Sequence, residues 1–282
     1  MAVSALTLTC LSVATLFVAL LPIALYRRLR VPFALNPRDA IAGIAVFALC
    51  AMVIERALNG YVLHQNPITA AWLSNPLVFV VYGTLAAGVC EETGRYVAMR
   101  LIWRRLQTGA AAAAPARTPA LADAPALAYG IGHGGTEAWL AGVLVQLQWI
   151  VFGVIENRGT LGADMASASP ASVMRLHVIL ASLSPQTAGI FVLERVVALV
   201  FQIGFSVLVW RGVRAGWRGI LPLAIAVHAL VDVPAALFQA LVLPLAVADG
   251  LYALIAVAVA GVLVRLFARA AREAGAPHRT PR

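Results

Sequence analysis

Residues 76–99 read PLVFVVYGTLAAGVCEETGRYVAM. At about 1.5 Å per helical residue, this stretch is long enough to cross a hydrocarbon core of roughly 30 Å. It is apolar until Glu91, Glu92 and Arg95, which stand close together near its end. A charged side chain at bilayer depth costs several kcal/mol, so groups found there are closely paired or chemically used. Reading this stretch as a transmembrane helix decides the fold class, because the rest of the chain repeats its character. Six more apolar runs lie at 3–25, 39–56, 125–155, 187–210, 219–238 and 241–264. Of the 282 residues, 62% are hydrophobic and only 12% charged, which excludes an ordinary soluble domain. The expectation is an all-α polytopic transmembrane helical bundle of about seven spans, forming a single integral membrane domain over residues 1–282. The Ala- and Pro-rich segment 105–124 reads as a flexible cytoplasmic loop, and 265–282 as a basic cytoplasmic tail. Apolar residues spaced over 170–183 suggest a short helix on the outer surface.

The net charge of +9 comes from arginine alone, since the chain has no lysine. Sixteen of the 21 arginines fall in 26–38, 100–124, 211–218 and the tail from 265, which are alternate connections of a seven-span chain. The positive-inside rule assigns those segments to the cytoplasm, so the N-terminus is expected outside and the C-terminus inside a bacterial cell membrane. Arg27, Arg28 and Arg30 follow the first apolar run, the reverse of a cleaved signal, which favours an uncleaved first span. This placement accounts for the basic balance through contact with the lipid bilayer, and no nucleic-acid partner is expected. Cys10, Cys50 and Cys90 each fall inside a span without paired spacing and read as core residues.

Three motifs place ionisable groups inside these spans: Glu91-Glu92-Thr93-Gly94-Arg95, Tyr129-Gly130-Ile131-Gly132-His133 followed by Glu137, and His228 followed by Asp232. Counted from the arginine-rich ends of their spans, Glu91, His133 and His228 all lie at a depth of about 12–13 Å. Glu91 and Arg95, His133 and Glu137, and His228 and Asp232 are each four apart and share a helix face. Glu91 and Glu92 point about 100° apart, so they need not share a role. Glycines 130, 132, 134 and 135 allow helices to approach closely around His133. Two carboxylates, two histidines and a charge partner at one level point to water activation within the membrane. The bland alternatives are hydrogen-bonded core histidines and structural ion pairs. Glu194 beside Arg195 reads as such a pair, while Glu55, Glu156 and Asp249 sit at span ends and read as solvated. Glu137 joins either the site or Arg195.

At these residues the chain resembles the YhfC family of intramembrane metalloproteases, related to the CAAX protease and bacteriocin-processing superfamily. That superfamily shows Glu-Glu-x-x-x-Arg, then Phe-x-x-x-His, then His-x-x-x-Asn. Here the first motif is one residue shorter before Arg95, Tyr129 stands for Phe, and Asp232 stands for Asn. The run Gly130 to Glu137 is the most specific part of the likeness. The resemblance implies Glu91, Glu92, His133 and His228 as catalytic residues, with Glu91 as the base. Arg95, Glu137 and Asp232 support them. It further implies that His133, His228 and Glu91 hold a divalent metal, zinc by preference, with one open position. The same residues could equally run a metal-free glutamate mechanism.

The expected activity is hydrolysis of a peptide bond in a membrane-embedded peptide or protein, at a site opening toward the cytoplasmic half. The alternatives are a proton-coupled transporter or channel, which also uses intramembrane Glu, His, Asp and Arg, and an inactive binding or immunity protein. The absence of repeated halves weighs against a transporter.

Overall fold

Twelve consecutive residues, Ala124 to Gly135, are buried, and the rest of the chain is arranged around them. In the computed structural model, residues 3–108 and 122–275 are described, without side chains beyond 268. They form an all-helical bundle, with no strand among the described residues. Seven helices are long and apolar enough to span a membrane: α1 (Ala5–Arg30), α2 (Pro37–Gln65), α3 (Pro76–Thr108), α4 (Ala124–Asn157), α5 (Pro185–Arg214), α6 (Ile220–Gln239) and α7 (Leu245–Gly275). Residues 109–121 of the expected loop and 276–282 of the expected tail lie outside the described residues.

Start signals are legible at several helices. Ser4 caps α1 through Thr7 N, Asn36 caps α2 ahead of Pro37, and Ser184 with Thr187 forms a capping box ahead of α5. The expected surface helix is present as Pro170–Ser182, and its Leu176 and Leu180 pack with Leu161 and Val3. The second span is longer than its hydropathy suggested. It continues through π-helical turns at Cys50–Glu55 and Tyr61–Gln65, so Glu55 lies within α2 and not at a span end. Its polar residues are satisfied inside the bundle: Asn59 donates to Glu55 at 3.3 Å, and Tyr82 donates to Asn59 at 2.8 Å. The fourth span is unbroken, with a π-helical stretch at Ala138–Val143 just past its glycines.

The first half of α4 is central because glycine lets backbones touch it. A Cβ on Gly43 of α2 would run into the carbonyl of Tyr129, and one on Gly132 into the carbonyl of Ala40. α5 closes the opposite side, where a Cβ on Gly134 would sit 2.9 Å from Gln202 Cβ. Small residues are how membrane helices achieve such approach. Apolar side chains such as Leu16, Val81, Leu101, Leu230 and Val257 point outward, as lipid-facing surface does. At the arginine-rich end, Arg105 pairs with the buried Asp39 at 2.6 Å and Arg211 with the buried Asp123 at 2.5 Å. These pairs tie α3 to α2, and α5 to the start of α4.

Candidate active site

Glu91, Glu92 and Arg95 occupy one side of α3, facing α4, α5 and α6. His133 reaches them from α4. Its ring is fully buried, stacked on Tyr129 at 5.6 Å and met edge-on by Phe47 of α2 at 5.1 Å. Its Nε2 lies 3.0 Å from Glu91 Oε2 and 3.4 Å from Arg95 Nη2. The shorter contact is to the carboxylate, which assigns Nε2–H as the donor to Glu91. His228 reaches the same level from α6. Its Nδ1 is 2.8 Å from Glu92 Oε1, its Nε2 is 3.3 Å from Asp232 Oδ2, and its ring stacks on Phe205 at 4.7 Å. The two glutamates therefore divide the histidines between them, as their 100° separation around α3 requires.

Arg95 joins the halves. Its Nε–H lies between both oxygens of Glu92, at 3.1 and 3.0 Å. Nη1 donates to Ser206 Oγ at 2.7 Å and to the Gln202 carbonyl at 3.1 Å, and Nη2 donates to Gln202 Oε1. Tyr129 and Phe205 present their rings to the guanidinium at 5.8 and 5.9 Å. The shortened first motif is thus the spacing that lets a side chain three residues from Glu92 and four from Glu91 serve both; its Nη2 is 3.9 Å from Glu91 Oε2.

All seven residues singled out in the sequence belong to one connected network. Glu137 enters it through Gln202, whose Nε2 donates to Glu91 Oε2 at 3.0 Å and to Glu137 Oε2 at 2.9 Å. Glu137 also meets Arg195 at 3.5 Å, so it touches both the network and Arg195. Arg195 thus meets Glu137 directly while its charge also acts on Glu194, its sequence neighbour. Asp232 accepts from Tyr252 as well as facing His228, which brings α7 to the site. Gln202, Ser206, Phe205 and Tyr252 were not picked out in the sequence. A signal existed for two of them: Gln202 and Ser206 are four apart in the apolar stretch that follows Arg195 and share one face.

A cavity of about 330 Å³ adjoins the network, lined by Glu91, His228, Asp232, Glu137 and Gln202. It continues to Phe238, Gln239, Leu245 and Asp249. Those residues mark the end of the bundle away from the arginine-rich segments. This corrects the expected opening toward the arginine-rich half: depth counting located the groups but not the wall that is missing. Asp249, half-buried near the start of α7, also lines the cavity. Glu91 is only 7% exposed. Its Oε2 takes every contact given above, while Oε1 has no partner among the described residues.

The donor set does not suit a resident metal as it stands. Both ring nitrogens of His228 face carboxylates, and the guanidinium of Arg95 lies beside Glu91 and His133 where a cation would sit. Among the described residues, no three of His, Cys, Asp and Glu are grouped to hold one.

The chain matches the family described as YhfC intramembrane metalloprotease over residues 17–253. A protein of Bacillus subtilis (strain 168), described as an uncharacterized membrane protein YhfC, is 33% identical over 226 residues, covering 78% of this chain and 80% of its own. No solved structure matches the chain significantly. The family match takes in the whole polar network, from Glu91 to Tyr252, and the chain belongs to the YhfC family.

Proposed function

We propose that the protein is an intramembrane peptidase in which Glu91 activates water against a peptide bond of a membrane-embedded substrate. The observation that carries this reading is the asymmetry of the Glu91 carboxylate. Oε2 is held by His133 and Gln202, Oε1 has no partner among the described residues, and the side chain lines a cavity. A base needs that combination: one oxygen fixed for orientation, the other open to a proton. Oε1 takes a proton from water as the water oxygen attacks the carbonyl carbon. The protonated Glu91 then gives that proton to the departing amide nitrogen as the C–N bond breaks. His228, held at Nδ1 by Glu92, turns its Nε2–H from the 3.3 Å contact with Asp232 to the oxyanion. Arg95 and Glu92 are positioning residues that hold the two halves in register.

The test is cleavage of a single-span peptide in proteoliposomes made up in H₂¹⁸O. Hydrolysis places one ¹⁸O in the new carboxyl terminus, and chelation by EDTA or phenanthroline is expected to leave the rate unchanged. Loss on chelation with recovery on added zinc would restore the metal to the mechanism. Proton-coupled flux through the vesicles without cleavage would replace the hydrolytic reading with transport.

The orientation we infer puts the arginine-rich end in the cytoplasm and the cavity mouth outside. An impermeant thiol reagent applied to intact cells should modify a cysteine placed at position 165 and spare one at 110, in a background lacking the native cysteines. The reverse pattern inverts the protein.

A further inference from the structure

α1 and α2 each pack on the first half of α4 but make little contact with one another. The gap between them is a groove of about 540 Å³ that shares no residue with the cavity at Glu91. Pro22 and Ile23 line it from α1, and Ile41 and Ile44 from α2. Gly132 and Gly135 line it from α4, on the turn that carries His133. Arg27 and Arg30, three apart on α1, share a face at the arginine-rich end of the groove. Neither has a hydrogen bond or an ion pair among the described residues. No acidic side chain among the described residues lines the groove, and Asp39, the carboxylate nearest in sequence, is taken by Arg105 at 2.6 Å. Deeper than Tyr26, every polar side-chain group of the wall is used within the fold. Thr136 Oγ donates to the Gly132 carbonyl at 2.8 Å, and Trp139 Nε1 donates to the Ala19 carbonyl at 3.1 Å.

We propose that the groove binds one anionic phospholipid of the adjoining leaflet, with an acyl chain between α1 and α2 and the phosphate at Arg27 and Arg30. The charge of the mouth selects the head group. The length of the groove selects the chain. From Arg30 back to Ile23 along α1 is about 10 Å, and from Ile131 to Leu140 along α4 about 14 Å. That is close to half of a hydrocarbon core of roughly 30 Å, the depth of one leaflet. A membrane-spanning peptide helix would overrun it. An extended peptide would strand its backbone against side chains with no polar group to spare. The lipid chain needs no such partner, and it rests against the turn of α4 that carries His133.

The inference is tested by counting bound lipid with native mass spectrometry of the delipidated protein in detergent. Phosphatidylglycerol, phosphatidylcholine with the same chains, and glycerophosphoglycerol, a head group without chains, are titrated separately. One phosphatidylglycerol is expected to bind about tenfold more tightly than phosphatidylcholine, and far more tightly than its head group alone. Arg27→Gln with Arg30→Gln should bring the two lipids within about twofold. Both arginines are exposed and without partners, so the fold does not depend on them. Arg100→Gln with Arg104→Gln removes the same charge from the same end but outside the groove, and should leave the preference intact. Ile44→Trp fills the groove from an exposed position and should remove the tight site, with an unchanged melting temperature showing that the fold survives; Ile41→Trp does the same from a second position. Equal binding of the two lipids overturns the inference. So does a preference lost equally in the Arg100 and Arg104 variant, which would be general attraction to a basic surface, or one kept in both tryptophan variants. Binding of glycerophosphoglycerol as tight as that of the lipid would make the arginines a site for a soluble phosphate, and displacement of the lipid by an equal concentration of single-span peptide would give the groove to peptide; either result also overturns it.

Discussion

Glu91→Gln is expected to reduce cleavage by about 10²–10⁴-fold while leaving the melting temperature of the protein near that of wild type. The two halves of this result come from the two oxygens of one side chain. Glutamine keeps the size of glutamate, and its carbonyl oxygen can occupy the place of Oε2, accepting from His133 Nε2 and from Gln202 Nε2. Its amide nitrogen then replaces Oε1, where no hydrogen bond among the described residues is lost. What disappears is the ability to take a proton. Glu92→Gln separates the roles, since Glu92 is fully buried and contacts both Arg95 and His228. That change is expected to cost stability as well as rate. The measurements are cleavage of a labelled single-span peptide in proteoliposomes and thermal unfolding in detergent. A Glu91→Gln protein that cuts within tenfold of wild type removes Glu91 from the role of base.

The residues of this network were legible in the sequence because charge is conspicuous against a membrane span. Glu91, Arg95, His133, Glu137, His228 and Asp232 stand out in apolar runs, and helical spacing with arginine placement sets Glu91, His133 and His228 at one level. Three features were less legible, each for a physical reason. Gln202 and Ser206 are neutral and blend into an apolar helix, yet they hold the guanidinium and link Glu91 to Glu137. The extent of α2 was underestimated because Glu55, Arg56 and Asn59 lower the local hydropathy, while in the fold Asn59 donates to Glu55 and accepts from Tyr82. The direction of the cavity depends on which helices fail to close on one another. That is set by side-chain volumes across α5, α6 and α7, which periodicity along one helix does not report.

Arg95→Met is expected to destabilise the protein by about 3–5 kcal/mol, among the largest single-residue losses available in this fold. The side chain is wholly buried; its guanidinium bonds to Glu92, Ser206 and Gln202 and lies 3.9 Å from Glu91. Methionine fills much of the volume, so the loss is electrostatic and not a cavity effect. Two carboxylates next to each other on α3 are left with only histidine and glutamine partners. At an effective dielectric constant near 20, removing one charge contact at 4 Å is already worth about 4 kcal/mol. The same reasoning fixes what a second change should do. Glu92→Gln added to Arg95→Met deletes the stranded charge, so the double variant should recover a substantial part of the stability lost by Arg95→Met alone. Unfolding in mixed SDS and detergent micelles gives the three values. An Arg95→Met protein within about 1 kcal/mol of wild type would mean that Glu92 is neutral in the folded state and that the guanidinium is not its counter-ion. Peptide cleavage by the double variant then separates structure from chemistry. If Arg95 only balances Glu92, stability and rate return together. Stability regained with the rate still low would mean that His133 and His228 need Arg95 to hold them at the distance Glu91 requires.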